Sequence, residues 1–529
     1  MNKLKKWHRY LGLGVALFTL FAIISGWALG HRAALAEIDL PRSILPPAYQ
    51  YTNWNNASVR GTLRAPVLIT DISTKTGTFV ETSTAVLTYG TAGIWLTDTL
   101  ASHFTPFMAG MRHGADNRIV SRIVCADNSL FAATTFHLYR CLSGATSWNE
   151  IDLPGHFDGE RLTDVETRSD TLVVLSRSHL FISLPPYEHF VRITLAPPPD
   201  YKERTNLFSL LWVLHSGELF GRVGIWTVDV LGLLLAVLVI TGVAFYFLPH
   251  LIRRRRKFGR PVKQSLTWLK YVLRLHNRSG AWLWIFFLLM ALTGIFLRPP
   301  LLITIVRVSL PTPPGTMLAD DNAWNDKLRT IRFDRITNEW LLYTSKGFYR
   351  LSMLKNTPIK IADAPPVSVM GANVLEAVDN GWIVGSFNGL YLWNTRTRVI
   401  TNLYTNLPAI APPPSRPVSE HPVSGYSDDF VNPIIFEYVA GATTRVEKVP
   451  DEESIFVSDF VFPPMPDEIA NTHISLWHTA LEVHTGRILF GILNPMADIY
   501  ITLLGLTIIF LLMSGYRLYR RRKQHVAPK

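Results

Sequence analysis

Histidines recur at matched places in the two halves of this 529-residue chain, each in the company of small residues. His8 is followed by Gly12 and Ser25-Gly26, and His276 by Gly280 and Thr293-Gly294, every equivalence offset by 268. Leu214-His215-Ser216-Gly217 returns as Val483-His484-Thr485-Gly486 with an offset of 269. Each of these leads into an apolar run, where Gly232 and Thr241-Gly242 match Gly505 and Ser514-Gly515. An imidazole supplies a neutral nitrogen ligand or a titratable proton site, so four matched imidazoles suggest metal or proton chemistry. Duplicated membrane halves tend to be related by an axis along the membrane normal, which sets equivalent residues at equal depth. His8 is then expected to face His276 near one surface, and His215 to face His484 near the other.

Two imidazoles flanking a flat space within a four-helix bundle suit axial ligation of haem iron. Two such levels imply two haems and a path for electrons across a bilayer. Zinc is less suited, because each level offers two histidines and neither a thiolate nor a close carboxylate. Gly26 lies five helical turns beyond His8, on the order of 27 Å along the axis and on the same face. Gly12 is close to that face, and His276, Gly280 and Gly294 repeat the arrangement. A glycine-lined face leaves room for a bulky group; its commoner role is close helix–helix contact, and both readings stand. A lone His8 or His276 could equally sit at the interface beside Arg9 or Arg278, but ionisable groups at membrane depth mark function by default. Glu218 and Glu482 either support the outer pair or are exposed helix residues. His31, His250, His473 and His478 are held in reserve, His31 and His478 first as replacements in the outer pair. His103, His113, His137 and His156 read as ordinary polar residues.

The elements that must position these groups are apolar stretches near 11–30, 225–248, 280–298 and 496–516, each long enough to cross a bilayer. The chain is 48% hydrophobic, and its formal net charge of +12 is unevenly placed. Twenty of its 52 Lys and Arg residues lie in the N-terminus, the connection between the second and third spans, and the C-terminal tail, which hold no Asp or Glu. Such segments stay in the cytoplasm, so both termini are expected inside and the acidic remainder exported. The basic pI is a topology signal, and nucleic-acid binding is not expected. Ala34-Leu35-Ala36 resembles a cleavage site, yet the match of the first span to the third favours a retained anchor.

The expected fold is a four-transmembrane-helix bundle built from two tandem repeats, plus an exported all-β, propeller-like body formed by two insertions. Its divisions are a first span to residue 31, a β region over 32–205, a pre-helix and second span over 206–250, and a basic loop over 251–275. A third span over 276–299, a β region over 300–472, a pre-helix and fourth span over 473–518, and a basic tail over 519–529 follow. The β expectation rests on short alternating runs punctuated by Gly, Asn, Asp and Pro, such as 85–96, 129–139, 171–181, 339–349 and 381–393. Their spacing suits propeller blades, and neither half alone supplies enough to close a ring. Two separate β-sandwich-like domains are the alternative. Pro197–Pro199, Pro311–Pro314 and Pro412–Pro414 mark stiff joints. Cys125 and Cys141 fall on the exported side, where a disulfide can persist, but spacing does not establish the geometry.

The Trp7-His8-Arg9-Tyr10-Leu11-Gly12 opening, the Leu-His-Ser-Gly and Val-His-Thr-Gly elements, the Ser/Thr-Gly pairs and the basic inner loop resemble the PepSY-associated transmembrane-helix family. The resemblance covers the spans and their flanks, about a third of the chain. It implies a bacterial inner-membrane protein with four spans and exported insertions. Some members are iron-regulated, and some resemble ferric-siderophore reductases carrying b-type haem between the spans. By motif, His8, His276, His215 and His484 are the implied ligands. The exported portion departs from the family pattern, with no PepSY module evident in either insertion.

The leading expectation is a haem-containing electron-transfer protein passing electrons to a periplasmic acceptor, such as ferric iron in a chelate or a partner protein. No Gly-x-Gly-x-x-Gly fingerprint accompanies a strand–turn–helix, so electrons are expected from a membrane quinol or a separate cytoplasmic reductase. The alternative is a non-redox membrane sensor or scaffold whose β body binds a ligand or partner. A transporter fits less well, given four spans without broken helices or buried acids.

Overall fold

The computed structural model describes residues 2–64, 85–156, 159–199, 201–368, 370–409, 418–443, 461–491 and 494–526. It divides into two compact units. One combines Met1–Arg32, Lys202–Asp320 and Trp477–Lys529; the other combines Ala33–Tyr201 with Asp321–Leu476.

The first unit is helical. It comprises α1 (Asn2–Gly30), a short α2 (Leu207–Ser216), α3 (Gly221–Lys257), α4 (Lys263–Phe296), a short α5 (Leu476–His484) and α6 (Met496–Val526). Among the described residues, four helices are long and apolar enough to cross a membrane: α1, α3, α4 and α6. Helix α1 packs on α3 and α6, and α4 packs on the same two, so α1 and α4 occupy opposite corners of the bundle. The helices present apolar side chains outward, as lipid requires: Leu17, Ile24, Leu233, Ile240, Phe286 and Leu503 are all exposed. Exposed aromatic residues gather toward the helix ends, with Trp7, Tyr10, Trp268 and Tyr271 at one and Trp27, Trp212 and Trp226 at the other.

The basic stretch expected as a loop over 251–275 is mostly helix. Arg253–Lys257 continue α3 and Lys263 begins α4, leaving only residues 258–262 as the connection. Apolar content ends at the membrane boundary, but the backbone does not have to. Arg and Lys are good helix formers, and cations are favoured at a helix C-terminus.

Among the described residues, the second unit holds six antiparallel sheets of three to five strands, together with a two-stranded pairing of Asp39–Leu40 with Ile474–Ser475. Their central hairpins are Ala85–Gly90 with Gly93–Asp98, Ser129–Thr134 with Leu138–Leu142, and Thr171–Ser176 with Leu180–Ser183. Glu339–Thr344 with Gly347–Leu351, Gly381–Ser386 with Gly389–Trp393, and Val423–Ser427 with Ile434–Glu437 complete the set. The first five coincide with the hairpins read from sequence. The sixth was missed because Ser424, Gly425 and Ser427 interrupt its alternation.

Each sheet shares a core with the next. Leu87 and Tyr89 pack with Ile123 and Tyr139, Val124 and Phe131 with Val165 and Phe181, and Leu175 and Leu180 with Ile331 and Leu342. Tyr343 and Phe348 pack with Leu375 and Trp393, and Val374 and Leu390 with Tyr426 and Ile435. Ile434 and Phe436 of the sixth sheet pack in turn with Val86 and Trp95 of the first. The leading strands of four sheets bring together a partly buried charge network: Arg122 reaches Glu376 at 2.5 Å and Glu166 at 3.6 Å, and Arg332 pairs closely with Asp164. Both insertions are therefore needed for one unit, since Arg122 and Asp164 come from the first and Arg332 and Glu376 from the second.

Cys125 and Cys141 are both free. They stand on strands that flank Leu130 on either side of one sheet, two strand spacings apart or roughly 10 Å. That separation exceeds what a disulfide can span. Burial pushes the Cys141 thiol up to about 11, so it behaves as a packed apolar group.

Candidate functional site

The four matched histidines meet in two facing pairs. The His8 and His276 rings, from α1 and α4, have centroids 6.5 Å apart; His215 and His484, closing α2 and α5, are 6.1 Å apart. The helices α2 and α5 end immediately after their histidines for a backbone reason. Gly217 (φ 85°) and Gly486 (φ 71°) adopt the left-handed conformation that terminates a helix, and the chain turns there toward the next span. Helix α2 is also capped at its start, where the Asn206 side chain accepts the Ser209 N–H at 2.8 Å.

One device holds all four rings. His8 Nδ1 meets Ser514 Oγ at 2.8 Å, His276 Nδ1 meets Thr241 Oγ1 at 3.3 Å, His215 Nδ1 meets Thr293 Oγ1 at 3.0 Å, and His484 Nδ1 meets Ser25 Oγ at 3.2 Å. Each hydroxyl donates its own proton to a carbonyl one turn back in its helix: Ser514 to Leu511, Thr241 to Val237, Thr293 to Leu289 and Ser25 to Phe21. The hydroxyl oxygen can therefore only accept from the ring, which makes Nδ1 the donor. His276 and His484 carry a second proof, because Nδ1 also lies 3.0 Å from the Leu238 carbonyl and 2.9 Å from the Ala22 carbonyl. A carbonyl has no proton to give. In all four rings Nε2 is left with a lone pair, the tautomer a metal ligand needs.

The glycine after each hydroxyl residue makes room for the ring. A Cβ on Gly515 would lie 3.0 Å from His8 Cε1, on Gly242 3.1 Å from His276 Cε1, on Gly294 3.0 Å from His215 Cε1, and on Gly26 3.1 Å from His484 Cε1. Gly26 and Gly294 therefore serve His484 and His215, not the histidines that precede them on their own helices. Gly12 and Gly280 face Leu511 at 3.7 Å and Leu238 at 3.2 Å, the helix-contact role left open from sequence. Sequence reading identified Ser25, Thr241, Thr293 and Ser514 as repeated but gave them no partner. Their matched Ser/Thr-Gly spacing was the available signal.

The reserve histidines stand outside both pairs. His31 bonds Asp229 at 2.9 Å, His478 lies 3.9 Å from Glu482, and His250 Nδ1 meets the Tyr246 carbonyl at 3.1 Å. Glu482 is buried and pairs with Arg487 at 2.8 Å, whereas Glu218 is exposed. Among the described residues, no group of three or more His, Cys, Asp or Glu gathers around a common point to hold a bare metal ion. Among the described residues, each level offers a pair of imidazole nitrogens.

Comparison with known proteins adds a family match. The model of the PepSY-associated TM region matches residues 5–522. No curated protein matches the chain. One similar solved structure is PorZ, described as an essential bacterial surface component of the type-IX secretion system of Porphyromonas gingivalis. It is 12% identical with a TM-score of 0.28, over 69% of this chain and 31% of that one. This chain thus spans about a third of that protein, and a likeness so low carries no inference about fold or function.

Proposed function

Because this chain belongs to the PepSY-associated TM family, we propose that it is a haem-containing electron-transfer protein of a bacterial inner membrane, reducing a periplasmic acceptor such as a ferric chelate. One observation carries this reading: four histidines held by one device, in two facing pairs, each with Nε2 free. Two imidazoles bound through Nε2 to opposite faces of one iron have ring centres about 6 Å apart, taking a metal–nitrogen bond of about 2 Å on each side. The pairs stand at 6.5 and 6.1 Å. Haem bound there supplies one-electron redox chemistry. The protein's part is to fix the ring tautomer through Ser514, Thr241, Thr293 and Ser25, and to clear space with the following glycines.

The repeat is read here as a true duplication, since each half contributes one histidine to each level. The six sheets, with the sixth closing on the first, are read as a six-bladed propeller. Cation placement puts both termini and the short 258–262 connection in the cytoplasm and the β unit in the periplasm.

Reduced-minus-oxidised spectra of protein purified with haem supplied test the reading. Wild type is expected to give a b-type signal, and His8→Ala and His276→Ala each to lose about half of it, one level of two. A colourless wild type would favour a non-redox scaffold. Thr241→Val keeps the side-chain shape but removes the hydroxyl acceptor from His276. Haem affinity at the inner level is expected to fall about 10- to 100-fold, measured by competition with apomyoglobin.

A further inference from the structure

We propose that His31 and Asp229 form a docking and proton-accepting site for a lipid hydroquinone, making the membrane's own quinol the electron donor; this rests on the electron-transfer reading above. The site lies where α1 closes on α3. Gly30 meets Ile225 at this crossing, and its absent Cβ would lie 3.7 Å from that side chain. His31 Nε2 and Asp229 Oδ2 are 2.9 Å apart, with the two side chains 26% and 22% exposed.

The same place in the other half holds a different pair. Asp498 stands one helical turn before the position that matches Asp229 in the register of Gly232 with Gly505 and Thr241 with Ser514, and Arg298 stands beside the position equivalent to His31. Arg298 bonds Asp498 at 2.6 Å. Both halves thus join a basic side chain at the end of one span to an aspartate near the start of the next. A guanidinium holds its proton permanently, whereas an imidazole exchanges it near neutrality. The two halves therefore share the staple, and only one of them builds it on an imidazole. A purely structural staple gives no reason for that difference.

The surroundings fit a ring carrying two hydroxyls and reaching the protein from the bilayer. Trp27 packs on His31 with centroids 5.2 Å apart and is itself half exposed, offering an aromatic face beside the polar pair. Trp226, one turn before Asp229 on α3, and Val230 just after it are exposed and apolar. A polar pair on such a lipid-facing surface is accessible to a ligand dissolved in the bilayer. With the imidazole neutral, Nε2–H donates to Asp229 and Nδ1 keeps a lone pair, while Oδ1 of Asp229 is left to accept. Oxidation of one hydroquinone to quinone releases two electrons and two protons. One hydroxyl proton goes to Nδ1 of His31 and the other to the Asp229 carboxylate; the electrons leave singly to two one-electron acceptors on the bis-histidine path. His484 lies against Gly26, five residues from His31 and about 8 Å along α1, so the outer pair is the near end of that path.

His31→Arg is the deciding variant, because it copies the pair that the other half already tolerates. Haem-loaded protein is mixed with duroquinol, and the rise of the reduced spectrum is followed in a stopped-flow instrument. Wild type is expected to be reduced at least tenfold faster than His31→Arg or Asp229→Asn, with dithionite reducing all three fully and their spectra identical. Equal duroquinol rates in wild type and His31→Arg would overturn the proposal. Duroquinone binding is measured separately by equilibrium dialysis on protein prepared without haem. Binding weakened at least tenfold in His31→Arg supports the site even if the protein proves colourless, in which case only the haem reading falls. Binding unaffected by the substitution sinks the quinol site and leaves the haem spectra to be judged alone.

Discussion

On the haem reading proposed above, Gly294→Leu is expected to abolish haem binding by the His215–His484 pair while leaving the His8–His276 pair intact. A Cβ at this position would already lie 3.0 Å from His215 Cε1, closer than nearly all real contacts. The remaining side-chain atoms must then occupy the volume of the imidazole. Either the ring leaves its Thr293 hydrogen bond or α2 moves away from α4, and both separate His215 from His484. Overpacking of this kind costs about 1–3 kcal/mol where the structure can yield, so the bundle is expected to fold and the ligand geometry to fail. Haem content per chain should fall by about half, with helical circular dichroism unchanged. Gly14→Ala provides the comparison, since a Cβ there meets nothing within 4 Å. Wild-type haem content in Gly294→Leu would show that the ring does not have to stay where it is for ligation.

The other large effect is expected in the β unit. Asp164 is 3% exposed; it pairs with Arg332 and accepts the Ile331 N–H at 2.8 Å. Asp164→Ala leaves the buried guanidinium bonded to the Leu375 and Ile331 carbonyls, with the carboxylates of Glu166 and Glu376 no nearer than 3.6 and 3.7 Å, and orphans a buried amide. Removing one partner of a buried ion pair costs about 3–5 kcal/mol. A markedly lower midpoint for loss of β-sheet signal on heating is the expected readout. The double variant Asp164→Leu/Arg332→Met should recover part of that loss, because it removes both charges together. A single variant as stable as wild type would mean that the network is already hydrated and that its charges are not strongly coupled. Since Asp164 and Arg332 come from different insertions, the result also measures how far the two depend on each other.

Much of the helical unit was legible because membrane insertion is governed by one-dimensional quantities. Apolar length marked α1, α3, α4 and α6, and the offsets of 268 and 269 identified His8, His215, His276 and His484 as matched groups. The β hairpins were legible where alternation was clean, as at 129–139. The helical extension through Arg253–Lys257 was not, because hydropathy reports where lipid ends and says nothing about where backbone hydrogen bonding ends. The separation of Cys125 from Cys141 was equally hidden: it follows from Leu130 lying between them across two strand pairings.

Residue types and their spacing were enough to determine that the chain carries four long apolar spans and histidines at matched offsets, since composition, length and period are properties of the chain alone. Tertiary structure decided which hydroxyl serves which ring. Ser25-Gly26 follows His8 on the same helix and looks like its companion, yet it holds His484, while His8 is held by Ser514, 506 residues away. The reason is that a hydrogen bond is short and directional. A hydroxyl several turns further along the same helix cannot reach the ring, and only packing of neighbouring helices sets a donor beside an acceptor at equal depth.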